Sequence, residues 1–324
     1  MSQTSKAPVP LAVSFVTVAE DSAGQRIDNF LLRELKGVPK SRIYKLIRGG
    51  EVRVNKGRID ATYRLQAGDV LRIPPVRVAE KPDAAPAVAA SERIQVPVVF
   101  EDDALLVVDK PAGLAVHGGS GVSFGLIELL RAQRPQAKFL ELVHRLDRET
   151  SGLLLVAKKR SALTALHELL RDAHNIDKRY LALVKGAWPD EKRNLRYKLF
   201  KYSTADGERR VRVAPDGQDA HTVIYRRKVW SDCALVECEL KTGRTHQIRV
   251  HLATAGFPIL GDEKYGDFPL NKSLVRQGLK RMFLHAWKLK FAHPLTGQPL
   301  TLEAPLPPEL AAYVATLDAA TKEH

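Results

Sequence analysis

The chain has 324 residues, enough for one large core and a small accessory domain. An apolar content of 44% excludes wholesale disorder, and two cysteines are too few for a disulfide framework or a Cys-rich zinc site. No apolar run is long enough to cross a membrane and MSQTSKAPVP lacks the apolar core of a secretory signal, so the expected compartment is the cytoplasm. The formal charge of +14 makes polyanions the expected partners, nucleic acid first and a membrane surface second; the basic residues are not gathered beside an apolar segment.

Residues 1–13 read as a loose tail and 14–77 as a small compact module. Its first helix is expected over GQRIDNFLLRELKG, where Ile27, Phe30, Leu31 and Leu35 recur at helical spacing and Gly37 can stop the helix. A second follows Pro39 through SRIYKLIRGG, with Ser41 as a candidate cap. Arg42, Lys45 and Arg48 then share one face, opposite Ile43 and Ile47. EVRVNKGRI alternates as a strand pair would, turning around Asn55–Gly57, and Gly68-Asp69 turns into a strand at VLRIPP. Between Gly24 and Arg77 stand thirteen Lys and Arg against five Asp and Glu, a net +8. A solvated surface could carry such charge, but its concentration in so small a module favours a binding face.

The Ala- and Pro-rich stretch 78–93 reads as a flexible linker. From 94 to 318 strand patterns dominate: ALLVVDKP, GLLLVAKK, KRYLALVKG, HTVIYRRKV and ALVECELK. Helices are expected over SALTALHELLRDA, with Leu163, Leu166, Leu169 and Leu170 on one side, and over RTHQIRVHLATAG. Without regular βαβ alternation this is an α+β pattern, a strand-rich mixed or antiparallel sheet with flanking helices, preceded by the small α/β module; 319–324 form a tail. Cys233 and Cys238, in the strand around ALVECEL, read as packed thiols. GGSG near His117 lacks the Lys-Ser/Thr of a phosphate loop.

Three stretches carry the candidate chemistry. In HRLDRETSG, Asp147 stands between arginines, just before a turn that feeds an apolar strand, where active-site groups commonly sit. A surface ion pair is the plain alternative. In TGRTHQIRVHLATAG, Arg249 lies between Ile248 and Val250, and a half-buried arginine needs an anion, for which Asp147 is the candidate. His246 and His251 are five residues apart, not at the four-residue spacing that aligns two metal ligands on a helix, so no metal is expected. Tyr180, read as beginning the strand KRYLALVKG, is either a sheet aromatic or a base-stacking group.

HRLDRETSG, KRYLALVKG and TGRTHQIRVHL, in this order and after VVDKPAGLAVHGG, resemble the motifs of the ribosomal large subunit pseudouridine synthases. GQRIDNFLLRELKGVPKSRIYKLIRGGEVRVNKGRI resembles the S4 RNA-binding domain that often precedes that catalytic domain. The resemblance runs over residues 14–318 and implies isomerisation of uridines in 23S ribosomal RNA, at more than one site, by a monomer that needs no cofactor. Transfer RNA is the alternative substrate, and a non-enzymatic RNA-binding protein would have no need of these motifs. The resemblance implies that Asp147 is the catalytic carboxylate, acting at C1′ or taking a proton from C2′, with Arg249 as its counter-ion. It implies that Tyr180 contacts the base and handles its C5 proton, and that Arg145 fills the place of the flipped base or holds a phosphate. Lys40, Arg42, Lys45 and Arg48 are the RNA-binding candidates of the S4-like domain.

Overall fold

A computed structural model describes residues 13–35, 38–76, 94–118, 124–171, 175–205 and 207–322. The chain divides into two compact units, Met1–Pro86 and Ala87–His324. The stretch read as a linker and Gly37, the expected stop of the first helix, lie outside the described residues, as does almost all of the amino-terminal tail.

In the first unit β1 (Ser14–Thr17), β3 (Val70–Ile73) and β2 (Arg53–Val54) form an antiparallel sheet in that order. Helices α1 (Ile27–Glu34) and α2 (Lys40–Arg48) share its core, with Ile27, Phe30, Leu31, Ile43, Leu46 and Ile47 buried. Two expectations are corrected. Ser41 does not cap α2: the helix already begins at Lys40 after an extended Pro39, which leaves Ser41 inside it. EVRVNKGRI is not a strand pair: Asn55 and Lys56 both adopt positive φ, and only Val54 and Gly57 bridge across the turn. The Asn55 amide donates to Asp69 Oδ1 and accepts from the Val70 N–H, so β2 is drawn onto β3 instead.

The second unit is built on one eleven-stranded sheet. Its main path runs β10 (Arg209–Val213), β9 (Lys192–Ser203), β11 (Gln218–Val229), β12 (Cys233–Leu240), β8 (Ile176–Lys185), β13 (Leu284–Ala292), β7 (Ser151–Ala157), β5 (Leu105–Lys110), β4 (Val98–Glu101). β14 (Pro299–Glu303) pairs with β13 and β6 (Glu141–Leu142) with β7; every pairing is antiparallel except β13 with β7. The continuous apolar run of β7 is buried throughout because both faces are covered. Leu154 and Val156 pack with α3 (Leu126–Gln133) and α5 (Gln247–Thr254), while Leu153 and Leu155 pack with α4 (Arg160–Arg171). Helices α6 (Phe268–Arg276) and α7 (Pro308–Lys322) cover Leu183 of β8 through Leu274, Leu310 and Tyr313; α7 runs on through residues 319–322, which corrects the tail expected from 319. The helix expected over RTHQIRVHLATAG is shorter, since Thr245 and His246 form a turn, with His246 left-handed at φ 53°.

Candidate active site

The loop His144–Thr150 joins β6 to β7 and is held from three sides. Leu146 is buried in the main core, which aims the next side chain, Asp147, the other way. The Thr150 N–H closes a turn onto the Asp147 carbonyl at 3.1 Å. The buried Lys110 ammonium, which the sequence reading left without a role, donates to the carbonyls of Pro111, Leu114 and Arg148 at 2.8, 2.8 and 3.0 Å. It thereby ties the end of β5 to the loop, although burial pulls its pKa down to about 7. Gly152 permits the parallel approach of β13 behind the loop: its φ is 111°, and a Cβ there would stand 2.2 Å from the Ala286 carbonyl oxygen.

Asp147 faces an open cavity of about 590 Å³ whose wall also contains Arg145, Tyr180, His246 and Arg249. Arg249, on α5, donates Nη1–H to Asp147 Oδ2 at 2.9 Å. Its Nε and Nη2 both donate to Asp262, each at 2.8 Å. The exposures rank Asp147 18%, Arg249 6% and Asp262 1%, so the guanidinium is anchored from behind and offers its remaining edge to the cavity. Burial works against the Arg249 charge, but the bonds to Asp262 outweigh it and raise the pKa. Burial likewise opposes the charge of Asp262, yet Arg249 and the N–H groups of Lys264 and Tyr265 hold that carboxyl below the usual range.

The sequence reading paired Arg249 with Asp147, and the two are in contact; it missed Asp262, which takes two of the three bonds. The signal available was GDEKYGD, a Gly-Asp turn with polar residues. Gly261, at φ 77°, could not carry a Cβ without meeting the Arg281 carbonyl at 2.2 Å.

Tyr180 does not begin its strand: β8 starts at Ile176, and Tyr180 lies mid-strand, opposite Cys238 on one side and Ala286 on the other. Its ring belongs to the main core, and burial, then the nearby Asp147 charge, push the phenol pKa up. Arg145 is exposed at the rim, with no ion-pair partner among the described residues. Arg171, Lys178, Lys241 and Arg244 add further cations to the wall. Lys40, Arg42, Lys45 and Arg48 are exposed together on α2 of the first unit.

Cys233 and Cys238 are free and buried, and burial raises the Cys233 thiol to about 11 and the Cys238 thiol further. Among the described residues no group of three or more His, Cys, Asp and Glu side chains is arranged to hold a metal. His246 and His251 diverge: His246 meets the Tyr265 hydroxyl, whereas buried His251 lies edge-on to Tyr197. No helix among the described residues is long and apolar enough to cross a membrane.

A family model described as RNA pseudouridylate synthase matches residues 104–254, and an S4 domain model matches residues 25–71. The chain is 52% identical to the ribosomal large subunit pseudouridine synthase C of Pasteurella multocida (strain Pm70), over 94% of each chain. The chain belongs to the pseudouridine synthase family. It is 53% identical to the protein of the same description from Escherichia coli (strain K12), over 91% of this chain and 93% of the relative. The runs GVPKSRIY, EVRVNKGRI, VHGGSGVSFG and FLELVHRLDR of this chain likewise resemble synthase C. Human RNA Pseudouridylate Synthase Domain Containing 4 superposes with a TM-score of 0.58 at 27% identity, covering 72% of this chain and 97% of its own. Human RNA Pseudouridylate Synthase Domain Containing 1 shares the fold, with a TM-score of 0.55 at 24% identity over 68% of this chain and 87% of its own. The synthase is thus an RNA-modifying isomerase with an S4 domain before its catalytic domain.

Proposed function

We propose that this synthase converts uridines of 23S ribosomal RNA to pseudouridine, at more than one position, as a cytoplasmic monomer with Asp147 as its catalytic carboxylate. The observation that carries the reading is the Asp147–Arg249 pair. One carboxylate oxygen is bound by a guanidinium anchored elsewhere, and the other faces the cavity. The relatives' descriptions, which name the ribosomal large subunit, support the substrate.

The reaction breaks the C1′–N1 bond, turns the detached base and forms a C1′–C5 bond, while C5 loses a proton and N1 gains one. It transfers no electrons and no group to a second molecule, so it can proceed on side chains alone. Whether the carboxylate attacks C1′ or removes a proton from C2′, it must be charged and have a free oxygen, and Arg249 serves both needs. Tyr180, buried and protonated, packs against the base; it takes the C5 proton as its own phenol proton passes to N1, which keeps the count balanced. A uridine in a structured RNA must leave its stack to enter the cavity, and the exposed Arg145 at the rim takes the vacated place. Lys40, Arg42, Lys45 and Arg48 contribute phosphate contacts.

Asp147→Asn keeps the shape of the carboxylate and removes its charge. Single-turnover conversion of an rRNA fragment, with enzyme in excess, should be abolished while RNA binding persists, because phosphate contacts dominate affinity. Near-normal conversion by the folded variant sinks the assignment. Mapping of pseudouridine in rRNA from cells with and without the gene tests the substrate.

A further inference from the structure

His246 sits at the opposite side of the Asp147 carboxylate from Arg249. Its φ of 53° and ψ of 20° place it in the left-handed region, where a side chain other than glycine is held at a cost. The other non-glycine residues with positive φ among those described, Asn55 and Lys56, belong to a tight turn in the first unit. His246 too lies in a turn, which the Gln247 N–H closes onto the Arg244 carbonyl at 3.2 Å, and the turn sets its ring on the wall of the cavity that Asp147 faces.

The ring is locked by a relay. The Tyr265 hydroxyl oxygen accepts the Val211 N–H at 2.9 Å and lies 2.7 Å from His246 Nδ1. A phenol has one proton. If Nδ1 carried a hydrogen and donated it to the phenol, the phenol proton would have no acceptor among the described residues. The arrangement that satisfies every group runs Val211 N–H to Tyr265 Oη, then Tyr265 O–H to His246 Nδ1. The remaining imidazole hydrogen is therefore on Nε2. Burial favours the neutral ring, lowering its pKa despite the pull of Asp147.

Nε2 is 3.8 Å from Asp147 Oδ1. That is too far for a direct hydrogen bond, but one oxygen atom fits between them at about 2.8 Å from each. The oxygen must accept from an N–H and donate to a carboxylate, which is the property of a hydroxyl. On the reading that Asp147 acts at the target nucleotide's C1′ region, the hydroxyl nearest that carbon is the ribose 2′-OH. We infer that His246 contacts the substrate there: Nε2–H donates to the 2′-hydroxyl of the target uridine, which in turn donates to Asp147 Oδ1. The contact orients the sugar against the carboxylate and makes the site selective for ribose over deoxyribose.

The test uses the full chain and an rRNA fragment that it converts, synthesised with uridine or 2′-deoxyuridine at the target position. Single-turnover rates are measured for the wild type, His246→Gly and His246→Asn. Glycine relieves the backbone and removes the ring, and asparagine tolerates the left-handed conformation, so at least one variant is suited to fold. The wild type should lose more than about tenfold on the deoxyuridine fragment, which lacks both the neutral bond from His246 and the charge-assisted bond to Asp147. Both variants should lose about threefold to tenfold on uridine, the worth of the one neutral bond, and should discriminate against deoxyuridine less than the wild type by that same factor, because the bond to Asp147 remains. Tyr265→Phe should weaken the discrimination while leaving the ring in place. Nitrogen-15 spectra of histidine-labelled protein, assigned by comparison with His246→Asn, should show Nε2 protonated in the wild type. Equal wild-type rates on the two fragments, wild-type discrimination in folded His246 variants, or a ring protonated on Nδ1 each overturn the assignment. Asp147→Asn is the separate arm. If it converts uridine normally, the reading of Asp147 fails; if it is inactive while His246→Gly discriminates as the wild type does, only the role of His246 fails.

Discussion

Arg249→Ala probes the three-residue network most directly. Removing one partner from a buried ion pair costs about 3–5 kcal/mol in the buried limit. Asp262 would keep two backbone N–H donors, those of Lys264 and Tyr265, so the lower end applies. At about 2–4 °C per kcal/mol for a domain of this size, the melting temperature should fall by about 6–12 °C. Asp147 loses a charge-assisted bond worth about 1.5–3 kcal/mol, so turnover should fall by about tenfold to 150-fold beyond any effect of unfolding. RNA affinity should change little, because Arg249 is buried and its guanidinium is already engaged by two carboxylates. The assays are thermal melting, single-turnover conversion well below the melting temperature, and equilibrium binding. The pH dependence has a defined sign. Asp262 has its folded pKa below the ordinary 3.8, so its contribution is complete above that value and is lost as pH falls through the folded one. In the variant the same carboxyl is buried without its cation and resists ionisation. The melting gap between wild type and variant should therefore be widest near neutrality and narrow below about pH 4. A folded variant with unchanged turnover and weaker binding would move Arg249 to a phosphate-contacting role and refute the reasoning.

A truncation that begins at Ser91 should bind RNA more weakly, with a salt dependence shallower by about 3 in log–log slope if the four α2 cations each lose one phosphate of a single strand. It should still modify a small fragment slowly, and binding as tight as that of the intact chain contradicts the role given to residues 14–77. Burial pushes His144, His251 and His285 down to about 4 from an ordinary 6.5. Between these values the unfolded chain binds protons that the folded one refuses, so stability should decline as pH drops from 6.5 to 4. Calorimetry across that range checks it, and a melting temperature that stays level or rises on acidification is the contrary result.

Local pattern and charge were enough to place most of the strands. SGLLLVA, ALLVVDKP and KRYLALVKG carry their apolar periodicity within a few residues, and a strand's burial is set by that periodicity. The +8 of residues 24–77 and the exposed face of α2 were likewise legible, because charge on a helix surface follows from spacing alone. So was the contact between Arg249 and Asp147, since a cation flanked by Ile248 and Val250 requires an anion wherever the chain leads.

The chain pattern did not reveal which other anion would arrive. Asp262 reaches Arg249 from a turn after α5, where Gly261 lets the Arg281 backbone approach, and no spacing rule encodes that meeting. The same holds for EVRVNKGRI, whose alternation suited a hairpin; the Asn55 amide, bonded to Asp69 and Val70, decided its partner. His246 shows the distinction most sharply. The stretch RTHQIRVHLATAG reads as a helix, yet the chain holds His246 left-handed while Tyr265, nineteen residues on, meets its Nδ1. Residue types and periodicity set which side chains are available and which faces are buried. Which polar groups satisfy one another is settled only in the packed state, because each buried donor and acceptor must find its partner among residues that tertiary structure brings together.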